Sequence, residues 1–281
     1  MMKVVSAKDY GMVSIVMLSH GSDEYIRETV ESVLGQTYQN WELIFVADSN
    51  KKVQSTILQI RDEMANCLKK VCATWSDYSD SKNRIRISYI YGQDEEAPRR
   101  NSAMKEARGK WIAFLDVGDI WDPTKLQRQV TFMVNNDLSF SYTKYCIIDQ
   151  KSEDCGIIIG GKLILSNQDM MKCCWPGYLT VMYDLTKIGK VYVNYLRSNN
   201  LFYAIWLKVS KLSNCYLLEE TLAKQRSSRG LLDRLNLANS IKSRYEVYRV
   251  EEGLNPLLSW ALTIRNIYYG MVNRQRYVER A

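Results

Sequence analysis

Short apolar runs alternate with helical segments through the first half of the chain, and this alternation constrains the fold more than any other feature. The runs have the length of buried strands, and the segments between them carry apolar residues every three or four positions, as amphipathic helices do. Strands are predicted over residues 13–18, 43–46, 85–91 and 111–115, and helices over 23–35, 53–73 and 98–107. The predicted order is βαβαβαβ.

This order predicts an α/β fold. Strands that alternate with helices pair in parallel through right-handed crossovers, and the crossing helices cover both faces of the sheet. We therefore predict a Rossmann-like, mostly parallel sheet with helices on both faces. A further strand is predicted over residues 140–149. The chain after about Lys151 is interpreted as a C-terminal, helical elaboration of the same domain, because no repeat or low-complexity linker separates the halves.

Cysteine content and hydropathy indicate the compartment. Seven cysteines, with no C-x-x-C pair, and a single histidine favour a reducing compartment over a disulfide framework or a zinc site. The N-terminus lacks the pattern of a signal peptide, and no uncharged apolar run reaches the length of about 18 residues that a membrane-spanning helix needs. We therefore expect a cytoplasmic protein that does not span a membrane.

The net charge of +7 is concentrated in the second half of the chain. Residues 1–150 contain 19 Lys and Arg against 20 Asp and Glu, which leaves 19 against 11 for residues 151–281. The basic half suits an anionic partner such as a lipid surface or a phosphate-bearing substrate, or it is a solvated basic surface. No recognisable nucleic-acid module accompanies the charge, so nucleic-acid binding is not expected.

Polar residues follow three of the predicted strands, at the edge where open α/β sheets bind ligands. Ser19 and His20 follow the first strand, Asp48 the second, and Asp116 and Asp119 the fourth. The chain has neither a G-x-G-x-x-G motif nor a glycine-rich loop that closes with Lys-Ser or Lys-Thr. Strand-end acids instead suit a divalent cation that bridges diphosphate oxygens, or they cap the segments that follow them.

Two long, ordered stretches carry a family resemblance: VSIVMLSHGSDEYIRETVESVLGQTYQNWELIFVADSN at residues 13–50 and RRNSAMKEARGKWIAFLDVGDIWDPTKLQRQ at residues 99–129. In these stretches the chain resembles the family 2 glycosyltransferases, which are inverting, nucleotide-sugar-dependent enzymes of GT-A fold. The later stretches resemble the subgroup that builds bacterial surface polysaccharides of the capsular or teichuronic-acid kind. They are GYLTVMYDLTKIGK at 177–190, YAIWLKVSK at 203–211 and LAKQR at 222–226.

The resemblance implies a donor site at the strand ends. The residues implied to bind the nucleotide sugar are Ser19, His20, Asp48, Arg100, Asn101 and Asp116. Asp116 and Asp119 are the acids left from the family's Asp-x-Asp-Asp motif, which is expected to hold Mg²⁺ or Mn²⁺ on the donor diphosphate. Arg226 and Arg229 are further candidates for diphosphate contact, or they belong to a solvated basic face.

Three positions depart from the family pattern. Ala47 stands where the second strand normally ends in a first Asp, and Gly118 replaces the middle acid of the metal motif. In the subgroup, an acid before the Tyr-Ala-Leu-Trp-Leu-like helix acts as general base, and here that position is Phe202. The catalytic base is therefore left unassigned, with Glu219 and Glu220 as the replacements considered.

Two functions follow from the resemblance and its departures. The first is a sugar transferase that passes the sugar from a nucleotide-diphosphate donor to a carbohydrate or lipid-linked acceptor. The second is a catalytically degenerate binding or scaffold subunit. The expected organisation is a donor-binding core over residues 1–150, an acceptor-side half of the same domain over 151–250 and an amphipathic helical tail over 251–281.

The tail also predicts a location. Between residues 254 and 280, aromatic residues alternate with arginines, as in helices that lie at a bilayer interface. We therefore expect contact with a membrane surface through residues 254–280, and a cytoplasmic protein that is peripheral at the inner membrane face. The alternative is that these aromatics pack on the body of the protein.

Overall fold

A computed structural model describes residues 9–19, 24–47, 55–60, 62, 85–89, 96–194, 201–227 and 237–280. Its strands are β1 (Val13–Leu18), β2 (Trp41–Ala47), β3 (Ile85–Tyr89), β4 (Trp111–Phe114), β5 (Ile120–Trp121), β6 (Phe140–Ile148), β7 (Asp154–Ile159), β8 (Ile164–Leu165), β9 (Met182–Asp184), β10 (Cys215–Arg226) and β11 (Val278–Arg280). Its helices are α1 (Ile26–Leu34), α2 (Glu96–Glu106), α3 (Lys125–Asn135), α4 (Asn167–Lys172), α5 (Leu185–Ile188), α6 (Leu201–Ser210), α7 (Leu237–Glu246) and α8 (Pro256–Tyr277).

The first four strands form the parallel half of the sheet, in the order β3-β2-β1-β4. The predicted strands of this half and the helices α1 and α2 lie within a few residues of their expected bounds. The helix predicted over residues 53–73 is described only at 55–60 and 62, which are helical, and its remainder lies outside the described residues. The predicted α/β fold is confirmed.

The second half of the sheet is mixed. β9 pairs antiparallel with both β4 and β6, and β7 and β11 continue the sheet antiparallel beyond β6. β10 pairs in parallel with β6 and antiparallel with the short strands β5 and β8. The elaboration after residue 150 therefore adds strands to the same sheet as well as helices.

Apolar side chains cover both faces of the sheet. Val13, Ile15 and Met17 of β1 belong to one core cluster, which includes residues of α1 and α3. Val16 and Leu18 of the same strand belong to the other, which includes residues of α2 and α6. Burial on both faces explains why the central strands are continuous apolar runs and not alternating ones.

Gly109, which follows α2, allows β4 to begin close beside β1. A Cβ at this position would lie 2.6 Å from the carbonyl oxygen of Met12 and 2.7 Å from the amide nitrogen of Ser14. The Gly109 N–H donates to Ser14 Oγ at 2.8 Å, and that hydroxyl donates to Glu42 at 2.6 Å. A glycine is therefore required where the chain passes from α2 into the sheet.

The C-terminal part packs α8 against α4 and α7 and then adds β11 to the sheet beside β7. Within the described residues, no helix combines the length and the apolar character needed to cross a bilayer.

Candidate active site

The carboxyl ends of β1, β2 and β4 meet at one edge of the sheet, where hydrogen bonds join them. Asp116, which follows β4, accepts the Leu18 N–H through Oδ1 at 3.2 Å. The Val117 N–H donates to the carbonyl oxygen of Leu18 at 3.1 Å. Ser19 follows β1 directly and is fully buried. Two of the predicted residues, Ser19 and Asp116, are thus brought to the same edge.

Arg99 of α2 joins β1 to β2 at this edge. Its Nη2 donates to the carbonyl oxygen of Ser19 at 2.9 Å and to that of Val46 at 3.2 Å. Arg99 is 6% exposed, so its guanidinium belongs to the framework beneath the site. Arg99 was not among the predicted site residues, and the only sequence signal for it was its position next to Arg100.

Arg100 forms a buried ion pair with Asp116. Its Nη2 lies 2.5 Å from Oδ2 and its Nη1 3.3 Å from Oδ1 of that carboxylate, while its Nε donates to Glu96 at 2.7 Å. Burial acts to lower the pKa of Arg100, but the attraction of Asp116 and Glu96 outweighs it and raises the pKa. Arg100 is therefore a permanent charge that neutralises Asp116.

Asp119 is the second acid of the turn after β4 and is also buried. Its Oδ1 accepts the backbone N–H of Arg226 at 2.9 Å, and its Oδ2 accepts a short hydrogen bond from the Tyr178 hydroxyl. Burial raises the pKa of Asp119 to about 7; the bonds from Tyr178 and Arg226 oppose this rise, and the charge of Asp116 adds to it. Near neutral pH, Asp119 is therefore protonated to a far greater extent than an exposed aspartate.

Gly118 lies between the two acids in a backbone conformation that favours glycine, with a φ of +109°. Its N–H donates to Thr29 Oγ1 at 3.0 Å, and its carbonyl oxygen accepts Nε of Arg226 at 2.9 Å. A Cβ at Gly118 would meet no atom within 4 Å, so this side of the turn faces open space. The replaced acid of the motif thus coincides with a conformation that disfavours an aspartate.

Arg226, at the end of β10, stabilises this turn. Its side chain is 7% exposed. Its guanidinium donates, at 2.6–2.9 Å, to four groups from three segments: Gly118 O, Glu28 Oε2, and Asp149 O and Ser152 Oγ of one turn. These bonds engage all three of its nitrogens within the protein, which favours a structural role over the predicted diphosphate contact. Arg229 lies outside the described residues.

Phe202 occupies the position of the expected general base, and it packs in an aromatic cluster. Its ring stacks on Tyr178 with centroids 4.7 Å apart and lies 5.6 Å from the ring of Trp206. The guanidinium carbon of Arg100 lies 4.0 Å from the Phe202 centroid. Phe202 therefore connects the Arg100–Asp116 pair to Tyr178, which in turn bonds Asp119. A phenyl ring accepts no proton, so it cannot serve as a base.

The hydrogen bonds of Asn101 do not join it to the Arg100–Asp116 pair. Its amide pairs with the backbone of Val193, donating to the carbonyl oxygen at 2.8 Å and accepting the N–H at 3.1 Å. Asn101 thus fixes the segment that precedes α6.

His20 and Asp48 lie outside the described residues, so their contacts stay predictions.

The acids considered as replacement bases lie on β10. Glu220 forms an ion pair with Arg128 of α3, with Nε and Oε2 2.7 Å apart. Glu219 is exposed. Both precede Ala223, which pairs with Trp121 of β5. Among the described hydrogen bonds, none joins Glu219 or Glu220 to Asp116 or Asp119, or to the backbone of Phe202.

The two acids do not fit a divalent cation in the arrangement described. Each oxygen of Asp116 accepts a bond from Arg100, and each oxygen of Asp119 accepts one from Tyr178 or Arg226. Among the described residues, no group of three or more His, Cys, Asp or Glu side chains is placed to hold a metal ion. The roles of Asp116 and Asp119 as ligands of Mg²⁺ or Mn²⁺ stay predictions.

Known proteins match both the sequence and the fold. Residues 14–157 match the model of Glycosyl transferase family 2. The chain is 30% identical over 245 residues to the putative teichuronic acid biosynthesis glycosyltransferase TuaG of Bacillus subtilis, covering 87% of this chain and 90% of that protein. It is 34% identical over 207 residues to the UDP-Glc:alpha-D-GlcNAc-diphosphoundecaprenol beta-1,3-glucosyltransferase WfgD of Escherichia coli, covering 73% of this chain and 72% of that protein.

A solved structure has the same fold. Residues 1–349 of S. aureus TarS, in complex with UDP-GlcNAc, match with a TM-score of 0.61 and 15% identity, covering 94% of this chain and 74% of that one. At this identity the match bears on the fold alone.

Proposed function

The chain belongs to glycosyl transferase family 2, and from this premise we propose that it is an inverting glycosyltransferase of bacterial surface polysaccharide biosynthesis. It would transfer a sugar from a nucleotide-diphosphate donor to a carbohydrate or lipid-linked acceptor. The names of its relatives support the polysaccharide context and a lipid-linked acceptor. We further propose that the polysaccharide is of the capsular or teichuronic-acid kind.

The observation that carries the proposal is the meeting of Ser19, Arg100 and Asp116 at the carboxyl ends of the parallel strands. Open α/β sheets bind their ligands at this edge. The Arg100–Asp116 pair is rigid because both side chains are buried and bonded at two atoms each. It therefore fixes the turn of residues 116–119 against β1, beside the place where we propose that the donor lies.

The proposed reaction is a direct displacement. The acceptor hydroxyl oxygen forms a bond to the anomeric carbon while the bond from that carbon to the diphosphate oxygen breaks, and its electron pair leaves with the nucleoside diphosphate. The acceptor hydroxyl gives up its proton in the same step, to water where the protein supplies no base. A general base typically accelerates such a step by about 10²–10⁴-fold, and Phe202 supplies none. We therefore expect slow turnover unless another group takes the proton.

A second candidate function is a catalytically degenerate binding or scaffold subunit. It is favoured by one observation: the expected base position holds a ring that packs against Tyr178, Trp206 and Arg100. This packing makes Phe202 a structural part of the site. Under this alternative the chain binds a nucleotide sugar, or a partner, without turnover.

Calorimetric titration with UDP-glucose, UDP-GlcNAc and GDP-mannose, with and without Mn²⁺, tests the proposal. The expected result is saturable binding of at least one donor, followed by measurable transfer or hydrolysis of that donor. Binding without any turnover would favour the second candidate. A chain that binds none of the nucleotide sugars would contradict the transferase.

Whether the turn of residues 116–119 holds Mg²⁺ or Mn²⁺, as the family resemblance implies, is tested by a separate experiment. Gly118→Asp returns a carboxylate to the open side of the turn, and Gly189→Asp is the matched control, because Gly189 also has a positive φ, +82°, and open space around its Cβ position. Both variants should lose about 1–3 kcal/mol of stability from backbone strain. In titrations without donor, Gly118→Asp is expected to bind Mn²⁺ more tightly than the unmodified chain does, and Gly189→Asp is not. Equal affinities would contradict a cation at this turn.

The location is also part of the proposal. We propose a cytoplasmic protein that contacts the inner membrane face through residues 254–280, where a lipid-linked acceptor would be held. Fractionation of cells that express the full chain tests this, with the protein expected in the membrane pellet at low salt.

A further inference from the structure

Helix α8 buries polar side chains and exposes apolar ones. Among the helix positions whose burial is described, the buried residues are Ser259, Thr263 and Asn266, which are 0%, 0% and 1% exposed. They recur at intervals of four and three positions, so they form the face of the helix that packs on the protein. A helix on the surface of a globular domain normally has the opposite arrangement.

The outer face of α8 is an apolar stripe. Its members, spaced three or four positions apart, are Leu257, Trp260, Ile264, Tyr268 and Met271, which are 84%, 47%, 64%, 58% and 60% exposed. Single exposed apolar residues need no explanation, but a contiguous row along one helix face indicates an interaction surface. We call these five residues the α8 stripe.

Hydrogen bonds fix the orientation of the helix. Asn266 Nδ2 donates to the Tyr203 hydroxyl at 3.0 Å, and Arg244 Nε donates to Asn266 Oδ1 at 2.5 Å. The Tyr203 hydroxyl also lies 2.6 Å from that of Tyr248. Rotating the stripe inward would break this buried network and leave polar groups unsatisfied, which is costly. The stripe is therefore held outward.

The charges of α8 select the partner. The helix contains three arginines, Arg265, Arg274 and Arg276, and no aspartate or glutamate. A second copy packed through the same stripe would offer no acid of its own helix to the exposed Arg276. An anionic bilayer surface offers both an apolar interior for the stripe and negative head groups for this arginine.

We propose that α8 lies flat on an anionic lipid surface, with the α8 stripe in the acyl boundary and the exposed Arg276 at the head groups. Tyr203 follows Phe202 in α6, so the network of Asn266 and Tyr203 connects the lipid-facing helix to the helix beside the site. The surface would thus bring a lipid-linked acceptor to that side of the protein. The surface deepens the membrane contact proposed above for residues 254–280, and this last step rests on the proposed transferase.

Flotation of the full chain with vesicles tests the surface. Vesicles of equal parts phosphatidylglycerol and phosphatidylcholine are compared with pure phosphatidylcholine, and binding to the anionic vesicles is expected to be stronger. Ile264→Asp should weaken this binding about tenfold or more, since it places a charge in the stripe. Leu163→Ser is the matched control, because Leu163 is 57% exposed and lies before β8. It should bind as the unmodified chain does.

Arg276→Gln, at an exposed position of the helix, should weaken binding to the anionic vesicles about fivefold, as expected for one basic residue near the surface. Thermal unfolding of each variant checks that the fold is retained. The inference is overturned if Ile264→Asp binds like Leu163→Ser, or if the chain binds no vesicles and instead forms a dimer in light scattering that Ile264→Asp dissociates.

Donor titration separates this inference from the proposed function. A chain that binds vesicles but no nucleotide sugar supports the surface and contradicts the transferase. A chain that binds nucleotide sugar but no vesicles overturns the surface and leaves the transferase standing.

Discussion

Asp116 was predicted as a ligand residue, and in the structure it also balances a buried arginine. Arg100 is 1% exposed and is held by Asp116 and Glu96 alone among the ion pairs described. A buried cation of this kind depends on its partners, because the protein interior does not solvate it. Substitutions at Asp116 therefore affect folding, besides the donor binding proposed above.

We predict that Asp116→Asn lowers the free energy of unfolding by about 3 kcal/mol, since removing one partner of a buried pair leaves the other charge uncompensated. Because Glu96 remains bound to Arg100, the loss of stability should lie at the low end of the range that is usual for breaking a buried ion pair. Denaturant titration followed by circular dichroism measures the change. Asp137→Asn is the control, because Asp137 is exposed and its φ of +50° suits asparagine. Similar stabilities for both variants would argue against the pair.

Lys125 is a second buried basic residue, located at the start of α3. It is fully buried, its Nζ has no hydrogen-bond partner among the described residues, and Nζ lies 3.9 Å from the ring centroid of Trp121. Burial lowers its pKa well below the ordinary value of 10.5. Between the lowered pKa and 10.5, the unfolded chain binds a proton that the folded chain does not, so this residue makes stability rise with pH.

Lys125→Met is predicted to raise the free energy of unfolding near neutral pH by about 1–3 kcal/mol, because it removes an unsatisfied buried polar group. The gain should shrink as the pH approaches 10, where the unfolded chain also loses its proton. Urea denaturation at a series of pH values measures both effects. Lys224→Met, at an exposed position of β10, should change little at any pH. A gain that grows with pH would refute the assignment of a neutral Lys125.

Among the elements, β10 determines the shape of the site from a distance in sequence. Its last residue, Arg226, bonds the turn of residues 116–119 through both backbone and side chain. Its Nη2 also reaches Glu28 of α1. One strand end therefore fixes a loop and a helix that come from the other half of the chain.

Arg226→Gln is expected to reduce stability by about 2 kcal/mol, the range for hydrogen bonds from a charged group, and to weaken donor binding because the turn loses its support. Denaturation and donor titration on the same preparation measure the two effects. Arg128→Gln is the control, since Arg128 is 57% exposed and pairs at the surface, where such pairs contribute little. If both variants bind donor equally well, Arg226 does not position the turn.

The elements of the parallel half could be predicted because their signals are local. Continuous apolar runs marked β1, β2 and β4, and Gly35 and Gly109 marked helix ends. β10 lacks such a signal: its sequence, CYLLEETLAKQR, mixes buried and exposed positions and contains bulges at the acids Glu219 and Glu220. Pairing partners, and not the residues of the strand itself, determine that it is a strand.

For the whole molecule, the sequence predicted which polar residues share an edge but not what they contact. Ser19 and Asp116 follow parallel strands, so their proximity follows from topology. The bonds of Asp119 to Tyr178 and Arg226 join positions 59 and 107 residues apart, and no periodicity reports such contacts. Likewise, hydropathy alone did not reveal which side of α8 faces outward, because its polar residues are the buried ones.

A fragment of residues 1–150 is predicted not to fold cooperatively. Strand β6 would lose all three of its sheet neighbours, β7, β9 and β10, and an unpaired strand invites aggregation. Thermal unfolding followed by near-ultraviolet circular dichroism tests this against the full chain. A sharp transition in the fragment would show instead that the first half is an independent unit.

The bond from Arg226 to the turn beside β4 also affects synthesis of the protein. While a ribosome is still making the chain, the donor side has its strands long before it has the residue that closes its loop. The nascent protein therefore cannot complete this turn until residue 226, 107 residues after Asp119, has been made. Translation itself thus delays closure of this turn until most of the mixed half of the sheet is already present.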